Sequence, residues 1–255
     1  MKIFRYILLV ALLTLGCALR AGAADFADEN LDYVITYKWG LIQKEAGTAT
    51  LSLKQNGNNY RLSLTARTKP WADKVFRVRD TLTSVVGRAD LRPLRYVKSA
   101  HEGGRYSRDE IEFHHSGNNV SATTRKLRVD KKGDKTTGGT DLQAQGPTFD
   151  MLSVFYFLRT LDYSALSDGK TAVANIFSGS KSEKLTIRSL GKERIEMRDK
   201  SQAEAWHIKF RFTSGGGKKS SDDIDAWISA DQRHIPLRLY GNLPIGQVRV
   251  YLVNR

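Results

Sequence analysis

From about residue 29 onward, apolar and polar positions alternate in short runs separated by clusters of Gly, Asn, Ser and Asp. That two-residue period is the pattern of strands with one face buried. Leu31, Tyr33, Ile35, Tyr37 and Trp39 alternate with Asp32, Thr36 and Lys38. Ala49, Leu51 and Leu53 follow, and the turn Asn56-Gly57-Asn58-Asn59 leads to Tyr60, Leu62, Leu64 and Ala66. Asn-Gly supplies the positive φ angles of a tight hairpin. Phe76, Val78, Leu82 and Val86 share a face of the next predicted strand. Further strands are expected at 94–98, 111–114 and 120–129, with Ser116-Gly117-Asn118-Asn119 as a second hairpin turn. After residue 170 the alternation resumes and reaches Val253, its longest run being Trp206, Ile208, Phe210 and Phe212.

Two segments depart from this period. Residues 130–146 are rich in Lys, Gly, Thr and Asp with almost no apolar positions, and read as a mobile loop or linker. Pro147 to Leu161 predicts the one helix. Asp150 is placed to cap its first turn, and Met151, Phe155, Leu158 and Leu161 form a core-facing stripe. The expected fold is mainly β: a large curled or partly closed antiparallel sheet, barrel-like, with one central helix packed on it. Exposed edges promote aggregation, which favours closure or coverage.

The first residues change the picture from fold to location. Lys2 and Arg5 precede an apolar run from Ile7 to Leu19, and Ala21-Gly22-Ala23 follows as a small-residue cleavage site. That order is a secretory signal peptide. The expectation is a leader at 1–23, a single β domain at 24–255, and an exported periplasmic protein. Export excludes functions that need cytoplasmic ATP, nicotinamide cofactors or the chromosome. Cys17 stands in a run faintly like a lipoprotein box, but Thr14 and Leu15 occupy its key places in the wrong order, which favours soluble export. Cys17 is the sole cysteine, so the mature chain has no disulfide and no thiolate. The leader carries Lys2, Arg5 and Arg20, so the formal charge falls by three, from +14 to +11. In an envelope such a balance suits anionic lipid, glycolipid or polysaccharide rather than nucleic acid, or simply a solvated basic surface.

Catalytic motifs are missing: no G-x-S-x-G elbow, H-E-x-x-H, P-loop or G-x-G-x-x-G is present. Ser167-Asp168-Gly169-Lys170 and Ser178-Gly179-Ser180-Lys181 match S-x-x-K but lie in Gly/Ser turns, where the spacing brings nothing together. His101, His114, His115, His207 and His234 read as surface histidines, because His114 and His115 point to opposite faces and no carboxylate stands at ligand spacing. Asp222, Asp223 and Asp225 lack a calcium loop and read as charges flanking a strand. No cofactor, metal site or transmembrane segment is expected.

Asp80 falls within the apolar stripe of Phe76, Val78, Leu82 and Val86, and a buried carboxylate needs a partner or must be neutral. Arg79 points the other way in a regular strand, so Arg159 of the helix is the expected mate, in an ion pair that docks helix on sheet; a ligand site is the alternative. Trp206 and Trp227 fit core positions. Trp71 follows Lys69-Pro70, where it either covers a core edge or stacks on a sugar or lipid headgroup. Trp71, Arg79, Asp80, Tyr156 and Arg159 are the candidate binding residues.

An ordered set of short motifs runs through the chain: Leu31-Asp32-Tyr33 to Trp39-Gly40 with Ala46-Gly47, then Val78-Arg79-Asp80 and Leu91-Arg92-Pro93. Asp150-Met151-Leu152-Ser153 with Tyr156 and Arg159 follows, then Trp227-Ile228-Ser229-Ala230-Asp231, Ile235-Pro236 and Gly246. In this order the set resembles the exported bacterial family known as domain of unknown function 3108, over nearly the whole span from Leu31 to Val253. The resemblance implies a Gram-negative periplasmic home and a curled antiparallel β structure. It implies no activity, cofactor or catalytic residue. The leading expectation is a non-enzymatic protein whose sheet cradles an amphipathic or anionic envelope ligand in an unfilled apolar concavity. A scaffold for envelope polysaccharide, acting through protein contacts, is the second reading, and an unrecognised hydrolase the third.

Overall fold

The computed structural model describes residues 25–166, 169–214, 221, 223–242 and 246–254. The leader at 1–23 with Cys17, the Ser167-Asp168 pair, the segment 215–220 and Asp222 lie outside the described residues. Strands β1 (Glu29–Trp39), β2 (Ile42–Asn56) and β3 (Asn59–Thr68) are followed by helix α1 (Pro70–Phe76). Then come β4 (Val78–Gly87), β5 (Pro93–Glu102), β6 (Arg105–Ser116), β7 (Asn119–Val129), β8 (Lys135–Gln145) and β9 (Thr148–Asp150). Helix α2 (Ser153–Leu158) precedes β10 (Thr171–Ser178), β11 (Lys181–Glu196) and β12 (Gln202–Ser214). Strands β13 (Ile224–Ser229), β14 (Pro236–Asn242) and β15 (Gln247–Asn254) end the chain.

All fifteen strands form one sheet, in the order β8 to β1 followed by β15 back to β9. The first and last strands therefore pair at its centre, with Tyr33 opposite Leu252 and Ile35 opposite Val250. Neighbours are antiparallel except β9 beside β10. The sheet curls until its outer strands approach: Asn175 of β10 donates to the carbonyl of Gln145 of β8 at 2.8 Å. The β10–β11 turn at Gly179 lies against the Asp109 carboxylate of β6. The fold is thus a nearly closed, barrel-like β structure, as the alternation predicts.

Leu31, Leu53, Tyr60, Leu62, Tyr96 and Ile111 pack into one core cluster that also takes in Tyr156 of α2 and Phe177 of β10. A second cluster joins Val154, Phe157 and Leu158 of α2 to Ala174, Ile176, Leu185 and Ile208. The helix is wedged between the two, and each large side chain it buries contributes about 1.5–3 kcal/mol. A six-residue helix is not stable in isolation. Packing and Asp150 hold it: the carboxylate accepts the N–H groups of Leu152 and Ser153, each at 2.8 Å. Its other oxygen accepts the Ser84 hydroxyl at 2.6 Å. Burial pushes the Asp150 carboxyl above its usual value.

Three expectations are corrected. The segment 130–146 is no mobile loop: it forms the turn 130–134 and the edge strand β8, in register with β7 from Val129 opposite Lys135 to Asn119 opposite Gln145. An edge strand exposed to water needs no apolar alternation, and Lys, Gly and Thr there discourage pairing with other chains. The predicted helix 147–161 shrinks to α2 because residues 148–150 are drawn into the sheet beside β10. Phe76 ends a helix rather than starting a strand: Pro70 occupies the first turn of α1 and presets its φ.

The β8 hairpin yields a test. A Cβ on Gly139 would stand 2.1 Å from the Thr124 carbonyl oxygen, a backbone atom that cannot rotate away. Gly139→Ala is expected to cost about 2 kcal/mol and to raise proteolytic cleavage within 130–146, while cleavage elsewhere stays unchanged.

Candidate functional site

Antiparallel order puts the β1–β2 turn, α1, the β5–β6 turn and the β7–β8 turn at one end of the curled sheet. The opposite end holds the N-terminal segment from Asp25 and the entrance to α2. The five candidate residues divide between these ends. Trp71, Arg79 and Asp80 gather at the α1 end; Tyr156 and Arg159 stand at the other.

At the α1 end, Trp71 and Arg79 fasten the helix to the sheet. The Trp71 indole N–H donates to the Glu45 carbonyl of β2 at 2.7 Å, and the Lys44 ammonium sits 4.4 Å above its ring. Lys69 pairs with the Glu45 carboxylate. Arg79 holds Asp73 bidentately, at 3.0 and 2.7 Å, and donates to the Thr68 hydroxyl at 3.1 Å. The Arg79 and Thr68 hydrogen bonds keep the Asp73 carboxyl below its usual range. With its first turn anchored in this way, α1 presents Val75 and Phe76 outward, 81 % and 53 % exposed. Phe76 rests on Gly103, whose φ is +57°; a Cβ there would lie 2.5 Å from the Phe76 ring.

Beneath this lip opens a cavity of about 620 Å³, lined by Val75, Phe76, Glu102, Arg105, Arg128 and Lys131 among others. Its floor includes one row of the sheet, in which Ala100 faces Ser107 and Ser107 faces Arg128; Asp80, opposite Ala100, continues the row beyond the cavity lining. The polar groups of the floor are paired unevenly. Arg128 donates to Asp109 at 2.6 Å, and Lys98 meets Glu102 at 3.3 Å but Asp80 only at 4.0 Å. One Asp80 oxygen is buried without a hydrogen-bond partner among the described residues. Burial, and then the neighbouring Glu102 carboxyl, push Asp80 up to about 6. Glu102 is held below its usual range: burial acts against this, but hydrogen bonding from Asp80 and the Lys98 ammonium prevail. At neutral pH the cavity therefore presents an apolar lip, exposed cations at Arg105 and Lys131, and the Glu102 carboxylate, with Asp80 outside its lining.

At the opposite end Arg159 is buried, but its partner is Glu29 of β1 rather than Asp80. The strand that carries Asp80 enters at the α1 end, beyond reach of the residue that follows α2. Arg159 also donates to the Arg233 carbonyl at 3.0 Å and lies 4.6 and 5.3 Å from the Phe26 and Tyr156 rings. Tyr156 is buried, and its hydroxyl has no hydrogen-bond partner among the described residues. A smaller cavity of about 230 Å³ lies beside Phe149, Phe157 and Thr160. The larger opening is thus beside α1, not beneath the central helix.

His207 departs from the surface reading. It stacks on Trp227 with centroids 4.5 Å apart and bonds Asp225 at 2.7 Å, because Trp227 is its cross-strand neighbour. Its other ring nitrogen lies 3.5 Å from the Glu193 carboxylate. Among the described residues no cluster of three His, Cys, Asp or Glu side chains could hold a metal ion. Ser178 and Lys181 face each other across the β10–β11 turn, and the Ser178 hydroxyl donates to Glu183. Sequence reasoning missed Val75, Phe76, Gly103, Arg105, Arg128 and Lys131. Lys69-Pro70 was the available signal for α1, since proline favours a helix's first turn. Nothing local signalled that the β5–β6 and β7–β8 turns meet this helix.

Comparison with known proteins adds the family and the fold. The model of a family described as "Protein of unknown function (DUF3108)" matches residues 32–253. No curated protein matches the chain. Among solved structures, the chain is similar to a beta-barrel-like protein of domain of unknown function DUF1849 from Brucella abortus, with a TM-score of 0.57 at 13% identity. That likeness covers 90% of this chain and 97% of the other.

Proposed function

The chain belongs to the DUF3108 family, and from the geometry beside α1 we propose that it is an exported, non-enzymatic envelope protein whose mouth binds an anionic amphiphile. The observation that carries this reading is the juxtaposition of an apolar lip, Val75 and Phe76, with the cations Arg105 and Lys131 around one cavity. Ligand sites are concave and largely apolar, with a few placed polar groups that set orientation. An acyl chain would displace water from Val75 and Phe76, and its acidic head would meet the guanidinium and ammonium groups. Trp71 and Arg79 act as anchors of the lip rather than as ligand contacts. The +14 formal charge and the leader-like first residues support an anionic envelope ligand. Envelope lipids and glycolipids share the required chemistry.

Calorimetric titration with lysophosphatidylglycerol below its micelle concentration tests the reading, with lysophosphatidylcholine as the zwitterionic control. Binding of the anionic lipid is expected, weakened about tenfold by Arg105→Glu combined with Lys131→Glu, the loss of two charge contacts. Equal affinity for the two lipids, or no effect of the double variant, would overturn it.

A further inference from the structure

Of the features that the mouth does not use, the apolar side chains projecting from the α1 end carry the furthest inference. Trp39, Leu41 and Ile42 form the tip of the β1–β2 hairpin and are 60 %, 105 % and 60 % exposed. Gly40, at φ +56°, turns the chain there. Trp39 ends the β1 alternation, but nothing in it requires Leu41 and Ile42 to join it at a solvated tip, where turn chemistry favours polar residues. The tip is coupled to α1: Glu45, three residues into β2, receives the Trp71 indole and pairs with Lys69. Val75 and Phe76 therefore project from the same end of the sheet as the tip.

We propose that this end docks on the surface of an anionic lipid bilayer, inserting Trp39, Leu41 and Ile42 to interfacial depth. Three observations favour lipid over a protein partner. The apolar side chains sit on two protrusions with charged residues between them, not on the continuous face of about 800 Å² per partner that a stable protein interface buries. A tryptophan leads the tip, and its amphipathic ring suits the headgroup boundary. Lys38, Lys74, Arg105 and Lys131 stand on the same elements and turns without ion-pair partners among the described residues, and such cations meet anionic headgroups. Among the described residues no helix is long and apolar enough to cross a membrane, and the docking needs none. The hairpin tip does not line the cavity, so its insertion is separable from what fills the mouth, while Arg105 and Lys131 border both.

Co-sedimentation with phosphatidylcholine vesicles and with mixed phosphatidylcholine–phosphatidylglycerol vesicles, at low and high salt, tests the proposal. The wild-type protein is expected to bind the mixed vesicles, with affinity falling as salt rises. Leu41→Asp combined with Ile42→Asp is expected to lower partitioning about tenfold or more. The tip is solvated, so circular dichroism and lysophosphatidylglycerol titration of this variant should match wild type. Tryptophan emission should shift to the blue on vesicle addition, and Trp39→Phe should abolish the shift. Absence of binding to the mixed vesicles, or equal binding by the tip variant, overturns the docking. A tip-dependent dimer without vesicle binding also overturns it and assigns the tip to protein contact.

Discussion

Arg159→Met is expected to lose about 3–5 kcal/mol of unfolding free energy, the cost of leaving one member of a buried ion pair without its partner. The Arg159 side chain is 2 % exposed and that of Glu29 is 12 % exposed. Methionine fills much of the space against Phe26 and Tyr156, so the loss arises from a Glu29 carboxylate left with only the more distant Arg233 guanidinium at 3.9 Å and from the freed Arg233 carbonyl, rather than from a void. Adding Glu29→Gln should restore a large part of the loss, because the charge that needed a partner is then gone. Urea denaturation of the four proteins in a double-mutant cycle measures the coupling. A single-variant loss below about 1 kcal/mol would mean that the pair is solvated and worth no more than a surface bridge. The pair docks the residues after α2 on β1, the role that the sequence reading gave to Asp80 and Arg159.

The second large effect belongs to Asp80 and depends on pH. Its carboxyl titrates at 3.8 when unperturbed and at about 6 in the folded protein. Below the unfolded value both states carry the proton and the group exerts no pH-dependent effect. As pH rises towards about 6 the unfolded chain releases its proton while the folded one retains it, so stability falls with rising pH and the full penalty stands above that value. A two-unit displacement corresponds to about 3 kcal/mol as an upper bound, and the lowered Glu102 carboxyl acts in the opposite direction. Asp80→Asn should therefore be more stable than wild type at mildly alkaline pH, by no more than about 3 kcal/mol, and nearly equal to it at acid pH. Urea unfolding at the two extremes measures both. A variant less stable than wild type above neutrality would show that the ionised carboxylate is stabilising where it stands. A buried carboxylate that costs stability when ionised fits a group kept for something other than stability.

Local pattern and tertiary placement contributed different things. The alternation from Leu31 onward, with Asn56-Gly57 and Ser116-Gly117-Asn118-Asn119 as turns, was sufficient for an antiparallel curled sheet, because a side chain's face in a strand depends only on its own position and the period. The same reasoning marked Asp80 as anomalous and Asp150 as the residue that organises the helix entrance. It failed at β8, where hydrogen bonds to β7 stabilise a strand whose only apolar positions, Leu142 and Ala144, lie near its end. It failed again at 147–150, where pairing with β10 overrode a helical pattern. The identity of Arg159's partner also lay beyond it, since Glu29 and Asp80 are equally acidic on paper and only the strand order assigns them to opposite ends. The mouth is the clearest case. Val75, Phe76, Gly103, Arg105 and Lys131 lie on three separate stretches of chain, and their meeting depends on how far the sheet curls and where α1 is stapled. The sequence by itself determined most of the inward-facing positions and where the chain turns, both properties of neighbours a few positions apart; in β1 a bulge after Ile35 buries Thr36 and leaves Trp39 exposed, against the simple period. Only the tertiary structure decided which ends, edges and charges meet, because those contacts depend on strand order and curvature, which no local period encodes.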